Sequence, residues 1–313
     1  MRFDRAYCQY PICGPSRASL LTGLRPDTLK IDHIDTFFRD TVPDVVTLPQ
    51  HFKAQGYESV YVGKVFHGNQ TDSTNSWTRR VLTPPAPSGN SRSEYRLPAS
   101  LAIVARRGEE AAAKFGPNSQ LGGMSGGPAW EAADLPDDEY IDGRVANAAI
   151  ATLRELKDKP FFLGVGFVKP HLSFVAPKKY FDLYDPAKLE LTKTPDAPAD
   201  SPTIARHSSF ELRTRTGVPT SGPFNDATSR ELLRAYYACV SFIDAQIGRV
   251  LAELDALGLR ENTIIVVWGD HGWHPGEYGI WGKATNHEVS ARVPLIVSAP
   301  GRKSVTKGSS RAL

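Results

Sequence analysis

"TIIVVWGDHGWHPGEYGIWGK" spans residues 263–283, and its opening run decides how the rest of the chain is read. Ile264, Ile265, Val266, Val267 and Trp268 form a short β-branched and aromatic stretch closed by Gly269, the pattern of a buried strand. Asp270, His271, His274 and Lys283 follow at once. In open α/β sheets, ligands collect beyond the carboxyl ends of the strands, and a strand that empties into titratable residues fits that plan.

The same plan recurs along the chain. "YESVYVG" (57–63), "FFLGVGFV" (161–168) and "PLIVSA" (294–299) also read as buried strands. The first is followed by "KVFH", giving Lys64 and His67, and the second by "KPH", giving Lys169 and His171. Helical patterns alternate with them. "LPQHFKAQG" (48–56) ends on a glycine, and "DGRVANAAIATLRELKD" (142–158) repeats its apolar residues on one face. A longer pattern runs over 228–257, with Thr228 and Glu231 spaced as a capping box. The fold class expected is α/β, a mostly parallel sheet flanked by helices in one domain over 1–313. Residues 81–136 and 185–226, rich in Pro and small or polar residues, are expected to be long loop insertions.

Composition narrows the function. A chain of 313 residues with 41% hydrophobic and 23% charged content supports a sizeable core and excludes global disorder. A formal charge of +3 gives no case for a nucleic-acid partner. Cys8, Cys13 and Cys239 are too few for a disulfide scaffold, and no apolar run reaches membrane-spanning length.

A second stretch, "CGPSRASLLTG" (13–23), reads as a tightly punctuated helix. Pro15 suits its first turn and Gly23 the residue past its end, while Ala18, Leu20 and Leu21 offer an apolar face. Cys13 then lies at the N-terminus, where free N–H groups and the helix dipole favour an anion. Taken singly, each candidate has an ordinary reading. Cys13 could be a small core residue, Lys64 a solvated charge, His67 and His171 structural hydrogen bonders, and Asp270 a helix cap. Their recurrence at three strand ends describes instead a cationic site with one metal-competent carboxylate, suited to a sulfate or phosphate ester.

"CGPSRASLLTG" resembles the sulfatase signature, Cys-x-Pro-Ser-Arg followed after three residues by Leu-Thr-Gly, at every fixed position. "LPQHFKAQGYESVYVGKVFH", "FVKPHLSFVAPKKYFDLYDP" and "DHGWHPGEYGIWGKATNHEVSARVPLIVSAPG" resemble the iduronate-2-sulfatase branch of that alkaline phosphatase-like family. The resemblance implies that Cys13 is converted to formylglycine by a formylglycine-generating enzyme, and that the substrate is a sulfated carbohydrate. It implies that Arg17 and Lys64 hold the modified residue and its sulfate, and that His67 is a base. It assigns His171 and Lys283 to the sulfate, one of them a proton donor, and Asp270 and His271, with Cys13, to a calcium site. A periplasmic or secreted parent protein is expected by the same token. The family's front strand with paired aspartates and its C-terminal subdomain are not matched, since neither Asp4 nor Asp27 follows an apolar strand. The chain by itself is therefore expected to hydrolyse sulfate esters poorly. Two alternatives stay open: a phosphate or phosphonate ester hydrolase using Cys13 in the same place, and a non-catalytic remnant.

Overall fold

A computed structural model describes residues 1–68, 70–90, 93–116 and 126–301. Its strands are β1 (Arg2–Phe3), β2 (Glu58–Gly63), β3 (Arg79–Val81), β4 (Trp130–Ala133), β5 (Phe161–Gly166), β6 (Phe174–Pro177), β7 (Ile265–Trp268), β8 (His274–Pro275), β9 (Trp281–Gly282) and β10 (Leu295–Ser298). The helices that matter here are α1 (Cys13–Thr22), α2 (Leu48–Ala54), α3 (Pro98–Phe115), α4 (Ile141–Leu156) and α5 (Asp226–Ala256).

All four expected strands are present, and the α/β class holds. The expectation of one sheet for all four does not. β2 lies between β3 and β5 in a parallel group, with Glu58 opposite Phe161 and Gly63 opposite Gly166. β7 and β10 form a separate group with β1, and there β10 runs antiparallel to both neighbours. The apolar runs of β7 and β10 fix strand identity but not burial. Val266 is 43% exposed and Ile296 45%, and the register places them on opposite faces, so neither face of this group is fully covered.

Helix packing follows the apolar periodicity. Ala18 and Leu21 of α1 pack with Tyr61, Val65, Phe66 and Trp77 around β2. Leu20, read as part of the same face, is exposed because it points away from that cluster. Val145, Ala148 and Ala149 of α4 cover Val62. Leu232, Leu233, Ala235, Cys239 and Phe242 of α5 bury Phe174 and Val175 of β6. The helix starts earlier than the capping-box reading placed it. Asn225 is the N-cap, and its side chain accepts from the Thr228 N–H at 2.8 Å. The stretch 81–136 is not loop throughout, because α3 and β4 lie within it. The leucine, alanine and glutamate content of 101–113 carries the helix despite the surrounding Pro and Gly.

The close pairing of β2 and β5 aims the next residues. Gly63 has φ +73°, and a Cβ there would lie 2.1 Å from the Gly166 carbonyl oxygen. The Lys64 N–H donates to that same oxygen at 2.7 Å. Asp142, in the first turn of α4, accepts from the Val168 and Lys169 N–H groups at 2.7 and 3.0 Å. Both strand ends are thereby fixed where the polar residues leave them.

Candidate active site

The ten-residue helix α1 starts at Cys13 and ends on Gly23, whose φ of +72° is the left-handed turn the sequence led one to expect. The Cys13 side chain is buried at the convergence of three strand ends. Its Sγ lies 3.1 Å from His271 Nε2, and Lys64 Nζ donates to it at 3.6 Å. Burial opposes ionisation of this thiol. Hydrogen bonds from His171, His271 and His67, with the Lys64 charge, outweigh that penalty and hold its pKa far below the ordinary thiol value.

Arg17 stitches the helix to two of the strand ends. Its Nε donates to Asp270 Oδ2 at 2.8 Å, and one terminal nitrogen donates to the Val65 carbonyl at 2.8 Å and to that of Lys64. Burial raises the Asp270 pKa, yet the Arg17 guanidinium beside it brings the carboxyl below its usual range. Ser16, which sequence reasoning passed over, donates through Oγ to the Asp270 carbonyl.

His271 Nδ1 lies 2.8 Å from the Gly272 carbonyl. A carbonyl only accepts, so Nδ1 carries a proton and Nε2 is the nitrogen that meets Cys13, donating to the thiolate when it is protonated and bare when it is not. His171 is held in the same way, with Nδ1 2.7 Å from the Leu172 carbonyl and Nε2 3.3 Å from Lys283 Nζ. Lys283 Nζ also donates to Glu211 Oε2 at 2.8 Å, and Glu211 Oε1 lies 3.3 Å from His171 Nε2. Burial pushes the Glu211 carboxyl up, but Lys283 and then His171 bring it down overall. Glu211, like Ser16, was missed by sequence reasoning. It sits in the polar stretch 185–226, and no spacing ties it to Lys283.

All eight candidates thus meet: Cys13, Arg17, Lys64, His67, His171, Asp270, His271 and Lys283 form one connected group. Lys169 has a different task. Its Nζ binds Glu94 Oε2 at 2.9 Å and the carbonyls of Ser173 and His171 at 2.5 and 3.2 Å, which fixes the loop carrying His171. Asp4 pairs with exposed Arg2 and takes no part in the site.

A domain-family model matches residues 1–312, and its description is sulfatase. The chain belongs to the sulfatase family. Among curated sulfatases, iduronate 2-sulfatase of Homo sapiens is 35% identical over 313 residues, covering 96% of this chain and 53% of the human protein. Choline-sulfatase of Rhizobium meliloti is 27% identical, covering 96% of this chain and 56% of its own. The chain spans about half the length of the curated relatives it matches. Among solved structures, phosphonate monoester hydrolase of Silicibacter pomeroyi superposes with a TM-score of 0.68 at 24% identity, over 96% of this chain and 61% of that one. This confirms the alkaline phosphatase-like fold.

Sulfatases generally require a metal ion, and the donor set can be tested for one. Cys13, Asp270 and His271 offer ligand atoms that all lie within 4.8 Å of one another. Asp270 is held ionised, and the Nδ1 hydrogen bond of His271 leaves Nε2 as its ligating atom. The three fit a divalent cation. They supply one carboxylate, one imidazole and one sulfur, whereas calcium takes six to eight oxygens. No helix among the described residues is long and apolar enough to cross a membrane.

Proposed function

We propose that the chain carries the catalytic centre of a sulfuric ester hydrolase acting on a sulfated sugar or polysaccharide. The observation that carries this reading is the placement of Cys13, at a helix N-terminus and within reach of three imidazoles and the Lys64 ammonium. That is a poor place for a structural thiol and a good one for a group that must face a sulfate ester. The proposal includes conversion of Cys13 to formylglycine by a formylglycine-generating enzyme. Hydrated, that aldehyde supplies one hydroxyl to attack sulfur and a second whose ionisation releases sulfate.

The chain's own residues then have distinct tasks. Arg17 and Lys64 hold the modified side chain and offset the charge of the sulfate. His67, whose buried Nδ1 has no hydrogen-bond partner, is free to exchange a proton with the hydroxyl at position 13. His171 and Lys283 face the sulfate. The His171 Nδ1 proton is committed to Leu172, so the proton for the leaving oxygen comes from Lys283 or from doubly protonated His171. Asp270 and His271 with residue 13 would hold calcium, which neutralises sulfate charge and orients the hydroxyl. Asp270 is the surer ligand, since calcium favours oxygen. A periplasmic or secreted parent protein belongs to the same reading.

The test is co-expression with a formylglycine-generating enzyme, peptide mass at position 13, and turnover of an aryl sulfate beside the matching aryl phosphate. Modification with sulfate release is the expected result. Turnover of the phosphate ester alone would favour the phosphate or phosphonate hydrolase. An unmodified Cys13 with no turnover of either ester would leave the non-catalytic remnant.

A further inference from the structure

A site for a sulfate ester calls for cations, yet one of the cations facing the sulfate here is accompanied by a carboxylate. Lys283 Nζ donates to Glu211 Oε2 at 2.8 Å, and Glu211 Oε1 stands 3.3 Å from His171 Nε2. From this placement we infer that Glu211 selects the charge of the ester: its carboxylate admits a singly charged ester and repels a doubly charged one. The inference rests on the sulfatase reading and deepens it, naming the residue that separates sulfate esters from phosphate monoesters.

Three observations carry it. The first is that the carboxylate is held in place. Glu211 lies in the single-turn helix Phe210–Arg213. Before it, Ser209 Oγ accepts from the Trp281 N–H at 2.9 Å, which ties this turn to β9, the strand leading directly into Lys283. After it, Leu212 is fully buried, and Arg213 donates to the Ser208 and Pro219 carbonyls at 3.0 and 2.9 Å. Glutamate and lysine are therefore presented to a ligand together.

The second is the donor count of Lys283. An ammonium has three N–H donors. One is taken by Glu211 and a second is within reach of His171 Nε2 at 3.3 Å, which leaves one for a ligand. A ligand oxygen on that donor is separated from the carboxylate by a single nitrogen. It meets the Glu211 charge at short range.

The third is the balance of charge. Arg17 is paired with Asp270 at 2.8 Å and Lys283 with Glu211, whereas Lys64 has no carboxylate partner among the described residues. Burial resists ionisation of Glu211, but Lys283 brings the carboxyl below its ordinary range, so it is charged at neutral pH. Its repulsion of a ligand grows with the ligand's charge. A sulfate ester carries one negative charge, while a phosphate monoester, with a second pKa of about 6, carries two above that pH. A bound cation attracts both esters and leaves the difference at Glu211 in place. Repulsion built in against the competitor is a general route to specificity. The same repulsion acts on inorganic sulfate, the doubly charged product, and favours its departure.

The experiment measures binding without turnover at pH 8, in the Cys13→Ala protein, which also removes a thiolate that would itself repel an anion. Three ligands are titrated by calorimetry: para-nitrophenyl sulfate and para-nitrophenyl methylphosphonate, both singly charged, and para-nitrophenyl phosphate, doubly charged. With Glu211→Gln added, affinity for the phosphate relative to the sulfate should rise about tenfold. The phosphonate ester should follow the sulfate, and Glu211→Asp should keep the parent ratio. Glu211→Ser is measured beside Glu211→Gln, so that if thermal unfolding shows one of them misfolded the other decides. A phosphate-to-sulfate ratio unchanged by loss of the carboxylate, a phosphonate ester that follows the phosphate, or no binding of any ester would overturn the inference. The sulfatase reading fails separately, through absence of sulfate release by the Cys13 protein, whatever the titration gives.

Discussion

Glu211 is the carboxylate that lets a lysine sit beside a histidine in a nearly dry site. Lys283 and Glu211 side chains are only 10% and 20% exposed, so removing one leaves the other charge poorly solvated. Glu211→Gln is expected to cost about 2 kcal/mol in urea unfolding at pH 7. Its pKa in the folded chain lies below the ordinary 4.5, so the ionised pair stabilises the fold fully above that value. That contribution is lost as pH falls through the lowered folded pKa. The stability gap between wild type and variant should accordingly close from about pH 4.5 downward; a gap constant with pH would refute the assignment. Glu211 was illegible in the sequence because a lone glutamate among prolines and serines has no period to betray it. Cys13, Lys64 and Asp270 were legible because each opens a helix or follows a strand, and Arg17 because it belongs to the Cys-x-Pro-Ser-Arg motif. The backbone there leaves little choice about where the side chain goes.

At the scale of elements, local chemistry is read best where packing has no vote. Strands β2 and β5 were readable from runs of Val, Tyr and Phe, and α4 from its apolar stripe. The start of α5 was not, because Thr228–Glu231 and Asn225–Thr228 both obey cap spacing and only the path of the preceding chain decides between them. Asn225→Ala should lower stability by about 1 kcal/mol. Glu231→Ala should change it by less than about 0.5 kcal/mol, as surface changes usually do. Thermal unfolding of the two variants separates the readings, and a larger effect at Glu231 would restore the original one. Sheet partnership escaped the sequence for a similar reason. Strand runs in β7 and β10 carry no mark of which neighbour they will take, or whether their far face will be covered.

The whole molecule shows that incomplete cover plainly. Ile264 is 68% exposed, Val266 43% and Ile296 45%, which places apolar side chains of one strand group in water. Exposed apolar side chains beside open strand edges promote association. Residues 1–313 expressed alone should therefore elute from gel filtration with an apparent mass that rises with concentration. Ile296→Lys should reduce that rise without lowering the unfolding midpoint, since the side chain it replaces is already solvated. A monomer at every concentration would show that these exposed side chains are harmless.

The contact between Cys13 and His271 joins residues 258 apart in the chain, and it buries the thiol to 3% exposure. It therefore has a history as well as a geometry. A ribosome adding roughly 5–20 residues per second exposes the cysteine on the order of tens of seconds before the histidine that covers it exists. The modification of Cys13 proposed above would belong to that interval. The finished fold should be refused by a modifying enzyme that accepts a free peptide spanning residues 8–23. Conversion measured by mass on both substrates decides it, and equal conversion of the folded protein would mean that the covering loop opens. Slowing synthesis between these two points should raise the modified fraction, and hastening closure should lower it. On the proposed modification, the yield of active centres would be set by a race during translation, not by an affinity at equilibrium.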